Sequence, residues 1–201
     1  MFKKHLLLLY SILISCSLSA QVFNGGINVG LSSSQVGGDN LAGFNKAGFL
    51  AGAYINTKIE GNLKIQMEMN YIEKGSNNPD MNENRIEDIS LSYLEIPVLL
   101  QYGSINMLKI ETGFLFGILI DGYYNNLSGR MENQINPFTQ YDFGALIGMD
   151  YKISDMFSLN TRLSNSFLPI GREDYDNTQV HGSWLKGKYN SVLSFSIHYN
   201  L

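Results

Sequence analysis

The stretch "LKIETGFLFGILID", residues 108–121, alternates apolar side chains with small or polar ones along its whole length. Ile110 and Phe114 belong to the apolar set, whereas Lys109 and Glu111 belong to the other. A period of two is typical of a β-strand with two different faces, because successive side chains point to opposite sides of a sheet. The rest of the chain repeats this pattern. We predict strands at about residues 23–33, 46–58, 63–75, 89–102, 108–121, 140–152, 157–168 and 190–201.

The connections between these strands alternate in length. Short turns are predicted around residues 59–62, 103–107 and 153–156, and long polar connections around residues 34–45, 76–88, 122–139 and 169–189. No helical crossover is evident, so we expect neighbouring strands to be antiparallel. Short turns at one end and long loops at the other are typical of a transmembrane β-barrel.

The composition indicates which face of the strands points outward. A secreted soluble barrel with an apolar interior would also alternate, but only 16% of the residues are charged, against about 25% in typical soluble domains. Glycines on the polar face suit a crowded interior better than a solvated surface; they are Gly26, Gly30, Gly52, Gly113, Gly117, Gly144 and Gly148. We therefore predict an all-β, eight-stranded, antiparallel up-and-down transmembrane β-barrel whose apolar faces contact lipid.

Residues 1–20 are predicted to be a secretory signal peptide. Lys3 and Lys4 precede a short apolar run that ends in the small residues of "SCSLSA". Cleavage after Ala20 would leave residues 21–201 as one barrel domain in the outer membrane of a Gram-negative bacterium. Lipidation at Cys16, in "LISC", is the alternative.

The cysteine content and the charge exclude several kinds of protein. Cys16 is the only cysteine, so the mature chain has no disulfide and no cysteine-based metal site. Without the leader, 12 basic residues face 18 acidic ones, a net charge of −6. A chain this acidic binds nucleic acid poorly. We predict outer-membrane lipid as its surroundings, and no cofactor and no metal site.

The run "LSYLEIPVLLQY", residues 91–102, carries Glu95 and Pro97 on the face that points into the barrel. An eight-stranded barrel is only wide enough for its own side chains, so luminal charges are expected to pair and to plug it. The predicted luminal charge network comprises Lys64, Glu68, Glu95, Lys109, Glu111, Asp142, Asp150 and Arg162. Because proline cannot donate to the ladder, we expect a bulge or local bend near Pro97.

Several motifs resemble a known family. They are "YLEIPVLLQY" (93–102), "IQMEMNYIEKG" (65–75), "GFLFG" (113–117), "YDFGALIGMDY" (141–151) and "NSVLSFSIHYNL" (190–201). Together they resemble the small outer-membrane β-barrel domains called porin family or PorT-like. The resemblance covers essentially the whole mature chain and implies the barrel fold. For one branch of the family it also implies a part in a protein-secretion system. Two departures from the pattern are a final Leu201 in place of an aromatic residue and a long acidic loop after "SFLPIG".

Three classes of function are compatible with these observations. A structural or interaction protein would present its four long loops to an envelope or extracellular partner, with Tyr123, Tyr124, Tyr175 and Trp184 as contacts. The alternative is a narrow porin for small solutes. A lipid-modifying enzyme is less favoured, because His198 lies among luminal serines and only Asp142 or Asp150 could orient it, if the barrel places one of them nearby. We therefore predict a non-enzymatic interaction or structural barrel.

Overall fold

The computed structural model describes residues 22–38, 43–77, 88–105, 107–126, 129–130, 138–171 and 187–201. Its strands are β1 (Phe23–Gly37), β2 (Lys46–Glu60), β3 (Leu63–Ser76), β4 (Asp88–Ile105), β5 (Leu108–Asn126), β6 (Gly129–Arg130), β7 (Tyr141–Lys152), β8 (Phe157–Ser166) and β9 (Tyr189–Asn200). The predicted signal peptide, with Cys16, lies outside the described residues. Within the described part of the chain, no helix is long and apolar enough to span a membrane.

Eight of these strands close into one antiparallel barrel, which confirms the predicted fold. The strands follow each other around the wall in the order β4, β3, β2, β1, β9, β8, β7, β5, and pairing of β4 with β5 completes the circle. The ninth element, β6, is a two-residue strand that pairs with the far end of β5. Residues 61–62 and 153–156 connect strands by short turns at one end, called here the turn end. The opposite end is called the loop end.

The exterior of the wall is apolar and the interior is largely polar. Phe114 is 70% exposed and Ile147 62% exposed, although both lie in the middle of long strands. Between such residues, alternate side chains such as Glu68, Asn160 and Arg162 point inward and are buried. An apolar exterior with a polar interior is the arrangement that a lipid-embedded barrel requires.

One β-bulge changes the faces of β5 near the loop end. Tyr93 on β4 pairs with Leu119 and Ser92 pairs with Asp121, so Ile120 is an extra residue in the ladder. A shift of one residue exchanges the two faces of a strand. Asp121, which strict alternation from residue 108 assigns to the lumen, therefore lies on the half-exposed exterior.

Of the bulge or local bend predicted near Pro97, the bulge is wrong. The register from Val98 to Tyr93 against β5 is unbroken, and the register against β3 is the same on both sides of Pro97. Instead, the ladder between β3 and β4 lacks the pairs at Pro97 and Ile96. Proline is accommodated by losing local pairing, because it has no N–H to donate, while the strand keeps its register.

An apolar cluster fills the lumen at the loop end. We call it the apolar cap; its buried members are Val36, Leu50, Ile72, Ile89, Leu91, Tyr93, Phe138, Ile170 and Val192. Phe138 and Ile170 come from segments outside the long strands. The Thr139 amide donates to the Ile170 carbonyl at 2.7 Å, and the Ile170 amide donates to the Lys188 carbonyl at 2.8 Å. These bonds hold the two segments together across the loop end.

Candidate functional site

The lumen contains a buried cluster built around Arg162 on β8. Its guanidinium donates to both carboxylate oxygens of Glu68 on β3, at 2.6 and 2.7 Å, and its Nε donates to Glu111 on β5. Gln66 and Asn70 also donate to the Glu68 carboxylate, at 2.6 and 2.8 Å. Charge-assisted bonds of this kind are the strongest hydrogen bonds in proteins. We call these residues the Arg162 cluster.

Gly148 on β7 makes room for the Arg162 cluster. In the ladder it pairs with Glu111 on one side and Arg162 on the other. A Cβ at this position would lie 2.8 Å from Arg162 Cγ and 2.8 Å from Glu111 Oε1. Glycine thus allows the arginine to reach over β7 to the carboxylate.

A second buried cluster surrounds Lys74 near the loop end of β3. Lys74 Nζ contacts Glu95 on β4 and lies 3.3 Å from Asp142 Oδ2 on β7. Ser166 and Asn190 donate to Asp142, at 2.6 and 2.9 Å. Lys74 was missed by the sequence reasoning although it shares the parity of Lys64 and Glu68. The intervening luminal Ile72 is apolar and interrupts the polar pattern. We call these residues the Lys74 cluster.

Within the part of the chain that the structure describes, both clusters contain two carboxylates and one cation. Arg162 faces Glu68 and Glu111, and Lys74 faces Glu95 and Asp142. Neutral donors supply the remaining hydrogen bonds to these carboxylates. Because a buried charge is costly without compensation, the single cation is the indispensable member of either cluster.

The predicted luminal network is thus divided among separate groups. Lys109 and Asp150 form a third pair at 2.7 Å near the turn end, where Ser158 also donates to Asp150 at 2.7 Å. Lys64 lies near them, and the described residues place no carboxylate within 4 Å of its amine. On β4, β5 and β7, buried Leu99, Leu115 and Leu146 lie between the Arg162 and Lys74 clusters.

A polar cavity of about 390 Å³ opens at the turn end, and we call it the inner vestibule. Lys64, Lys109, Asp150 and His198 are among its lining residues. At its rim, Lys152 donates to Asp155 at 2.5 Å, and this contact holds the pKa of the exposed Asp155 carboxyl below its usual range. Among the described residues, no group of three or more histidine, cysteine, aspartate or glutamate side chains could hold a metal ion.

His198 on β9 lies buried beside the inner vestibule, and the described residues around it do not form a catalytic triad. Its Nε2 lies 3.1 Å from Ser196 Oγ, and its ring packs against Tyr54 at 5.2 Å between centroids. Its Nδ1 is 3.9 Å from Asp150 Oδ2, too far for a hydrogen bond. Asp150 is already bonded to Lys109 and Ser158 and is not oriented to activate the histidine.

Two of the tyrosines predicted in outer loops lie in β5 instead. Tyr123 is half-buried beneath Arg130, whose guanidinium carbon is 4.3 Å from the ring centroid. Tyr124 packs against Phe138 of the apolar cap and accepts a 2.5 Å hydrogen bond from Lys188. The loop prediction failed here because β5 continues to Asn126. Tyr175 and Trp184 lie outside the described residues.

A family model described as outer membrane protein beta-barrel domain matches residues 18–171. It includes all the charged residues of the Arg162 and Lys74 clusters. No curated protein matches the chain.

Solved structures with the same fold share little sequence with this chain. Neisserial surface protein A is 12% identical with a TM-score of 0.52, and the alignment covers 89% of this chain and 97% of that one. Ail, the attachment invasion locus protein of Yersinia pestis, is 10% identical with a TM-score of 0.51, over 89% and 98% of the two chains. A second Ail structure, in complex with the heparin analogue sucrose octasulfate, is 9% identical with a TM-score of 0.50, over 89% and 99%. At these identities the likeness shows the fold alone.

Proposed function

This chain belongs to the outer membrane protein β-barrel domain family and is an outer-membrane barrel, and on that basis we propose that it acts as a structural or interaction protein whose lumen does not conduct. Its role is then to present a surface at the loop end to an envelope or extracellular partner. The finer resemblance to PorT-like proteins, with its implied link to a secretion system, stays a prediction.

The observation that carries this proposal is the filling of the lumen. The Arg162 cluster joins side chains from opposite walls, and Glu68 and Glu111 are buried together with the arginine. The apolar cap occupies the lumen at the loop end. An eight-stranded wall leaves little space beyond its own side chains. These features support a closed barrel over a narrow porin.

At the loop end, β5 and β6 form an extension beyond the closed wall. Arg130 makes a bidentate pair with Asp121 at 2.9 and 3.0 Å and stacks over Tyr123, all on the extension formed by β5 and β6. Since long loops of such barrels face the outside of the cell, this extension supports an exposed recognition surface. Tyr175 and Trp184, in the last long connection, remain the proposed aromatic contacts, together with the exterior ring of Tyr123.

Single-channel recording in a planar bilayer tests the proposal. We expect the refolded wild-type chain to stay closed. We expect Arg162→Ala to become leaky or unstable because it leaves Glu68 and Glu111 without their cation, and Glu95→Ala to become leaky because it removes a side chain that fills the lumen. Steady conductance of the wild type would favour the porin and would make the luminal charges its selectivity determinants. An enzymatic role has less support, because among the described carboxylates none lies within hydrogen-bond distance of His198.

A further inference from the structure

Three lysine side chains but only two aspartate side chains are among the described residues that line the inner vestibule. Its lining includes Lys64, Lys109 and Lys152 against Asp150 and Asp155, and both aspartates are already paired, with Lys109 and Lys152. Among the described side chains of this lining, Lys64 is the lysine with no carboxylate within 4 Å of its amine. This excess is local, since the chain as a whole has a net charge of −4.

The strand register adds a second lysine next to Lys64. Lys58 on β2 pairs directly with Lys64 on β3, so both side chains point toward the luminal side of the rim. A recess next to the inner vestibule is lined by Lys58, Lys64 and Lys109. The described residues place no carboxylate within 4 Å of either Lys58 or Lys64. Like charges placed directly opposite each other repel, and a bound anion would relieve that repulsion.

Two buried amide side chains of the same lining have oxygens that accept no hydrogen bond from the described residues. Gln101 is 2% exposed, and because its NH₂ donates to the Glu111 carboxylate at 2.9 Å, its Oε1 is left without a partner. Asn56 is 7% exposed and donates to Gln66, which in turn donates to Glu68, so Asn56 Oδ1 is also unpartnered. The anchoring carboxylates fix the direction of both amides, because a carboxylate can only accept.

We propose that the inner vestibule binds a small carboxylate that carries neutral N–H or O–H donors, such as the free end of a peptide or a sugar acid. The carboxylate would lie against Lys58 and Lys64, and the donors would bond to the oxygens of Gln101 and Asn56. Neutral donors fit better than an ammonium, because the lysines repel a cation. A cavity of about 390 Å³ lies within the usual size range of small-molecule sites. This inference goes beyond the proposed function and does not depend on it.

Calorimetric titration of the full mature chain, refolded in neutral detergent, tests the site. The peptide probe is N-acetyl-alanyl-alanine, and gluconate represents the sugar acids, so the two titrations distinguish the sources of the ligand. We expect at least one of the two to bind with an affinity that falls as salt is added. The C-terminal amide of the same peptide, which lacks the charge, and acetate, which lacks the donors, should each bind at least about tenfold more weakly.

Matched lysine variants locate the binding. Lys64→Gln should weaken binding about tenfold, Lys64→Arg should retain most of it, and Lys46→Gln should leave it unchanged. Lys46 is a suitable control because it lies at the loop end, where its amine donates to Ser90 at 2.8 Å. Heat-modifiable gel mobility verifies that each variant folds. Absence of binding by both probes, equal binding of the amide or of acetate, or an equal effect of Lys46→Gln would overturn the proposal.

Discussion

Arg162 on β8 and Glu68 on β3 meet across the lumen through two parallel hydrogen bonds of 2.6 and 2.7 Å. In the closed order of the wall, three strands separate β8 from β3 on either side, so the pair joins opposite walls of the barrel. The planar guanidinium and the carboxylate match each other in shape, which fixes the direction of both side chains. The stability of the barrel should therefore depend strongly on this one arginine.

Replacing Arg162 by methionine should lower the free energy of unfolding by about 3 kcal/mol or more, because Glu68 and Glu111 would be left buried without their cation. Urea unfolding in lipid vesicles, followed by gel mobility, measures the change. Arg130→Met is the matched control: its pair with Asp121 is about half exposed and should be worth no more than about 1 kcal/mol. Equal losses of unfolding free energy for the two variants would mean that Arg162 does not make the predicted larger contribution to stability.

Because the Lys74 cluster contains two carboxylates and one cation, we expect loss of the cation to cost more stability than loss of one carboxylate charge. Glu95→Gln keeps the shape and removes one of two negative charges, so stability should change by no more than about 1 kcal/mol. Lys74→Met leaves Glu95 and Asp142 facing each other and should cost about 3 kcal/mol or more. The same urea assay compares the two. A loss for Glu95→Gln as large as that for Lys74→Met would show that both carboxylates are needed in ionised form.

The exterior face and the orientation can be tested with single cysteines. Ile110 is 57% exposed on the exterior of the wall, so a cysteine at this position should be shielded by lipid from a water-soluble thiol reagent. A cysteine at Phe116 should behave likewise. A cysteine at Tyr175 should label from outside intact cells. Labelling at Ile110 together with protection at Tyr175 would mean that the assigned faces or the orientation are inverted.

The apolar cap should depend on the ring of Phe138. Phe138→Ala removes the ring from the cluster and weakens the contact between its segment and Ile170. We expect the Thr139 and Ile170 amides, which hold that contact, to exchange with solvent at least about tenfold faster. Hydrogen exchange followed by NMR in micelles measures this. Phe167→Ala, at a ring that is 49% exposed, is the control and should leave both rates unchanged. If the two amides exchanged at unchanged rates in Phe138→Ala, Phe138 would not contribute to closing the loop end.

Alternation predicted the barrel and the inward side of buried charges such as Glu68, Glu111 and Arg162, because period two is a local property of a strand, but it assigned Asp121 to the wrong side beyond the bulge. Which charges meet depends on register across the barrel, and no local pattern encodes that Arg162 lies opposite Glu68. Lys74 was missed because the luminal Ile72 interrupts the polar face, whose residues at that end belong to the apolar cap. The bulge at Ile120 was missed because one extra apolar residue in an apolar run leaves no compositional mark.

The apolar cap closes the lumen at one end only, while the inner vestibule stays open at the other. Under the proposed function the barrel is a cup and not a tube, and solutes would exchange with its interior through the turn end alone. Changes in the long loops alter what the rim displays without altering what the cup contains. Conversely, the residues around the entrance can vary without any effect visible from the opposite side. The proposed loop-end surface and the proposed vestibule site would thus be two recognition surfaces of one short chain, and selection could modify them independently.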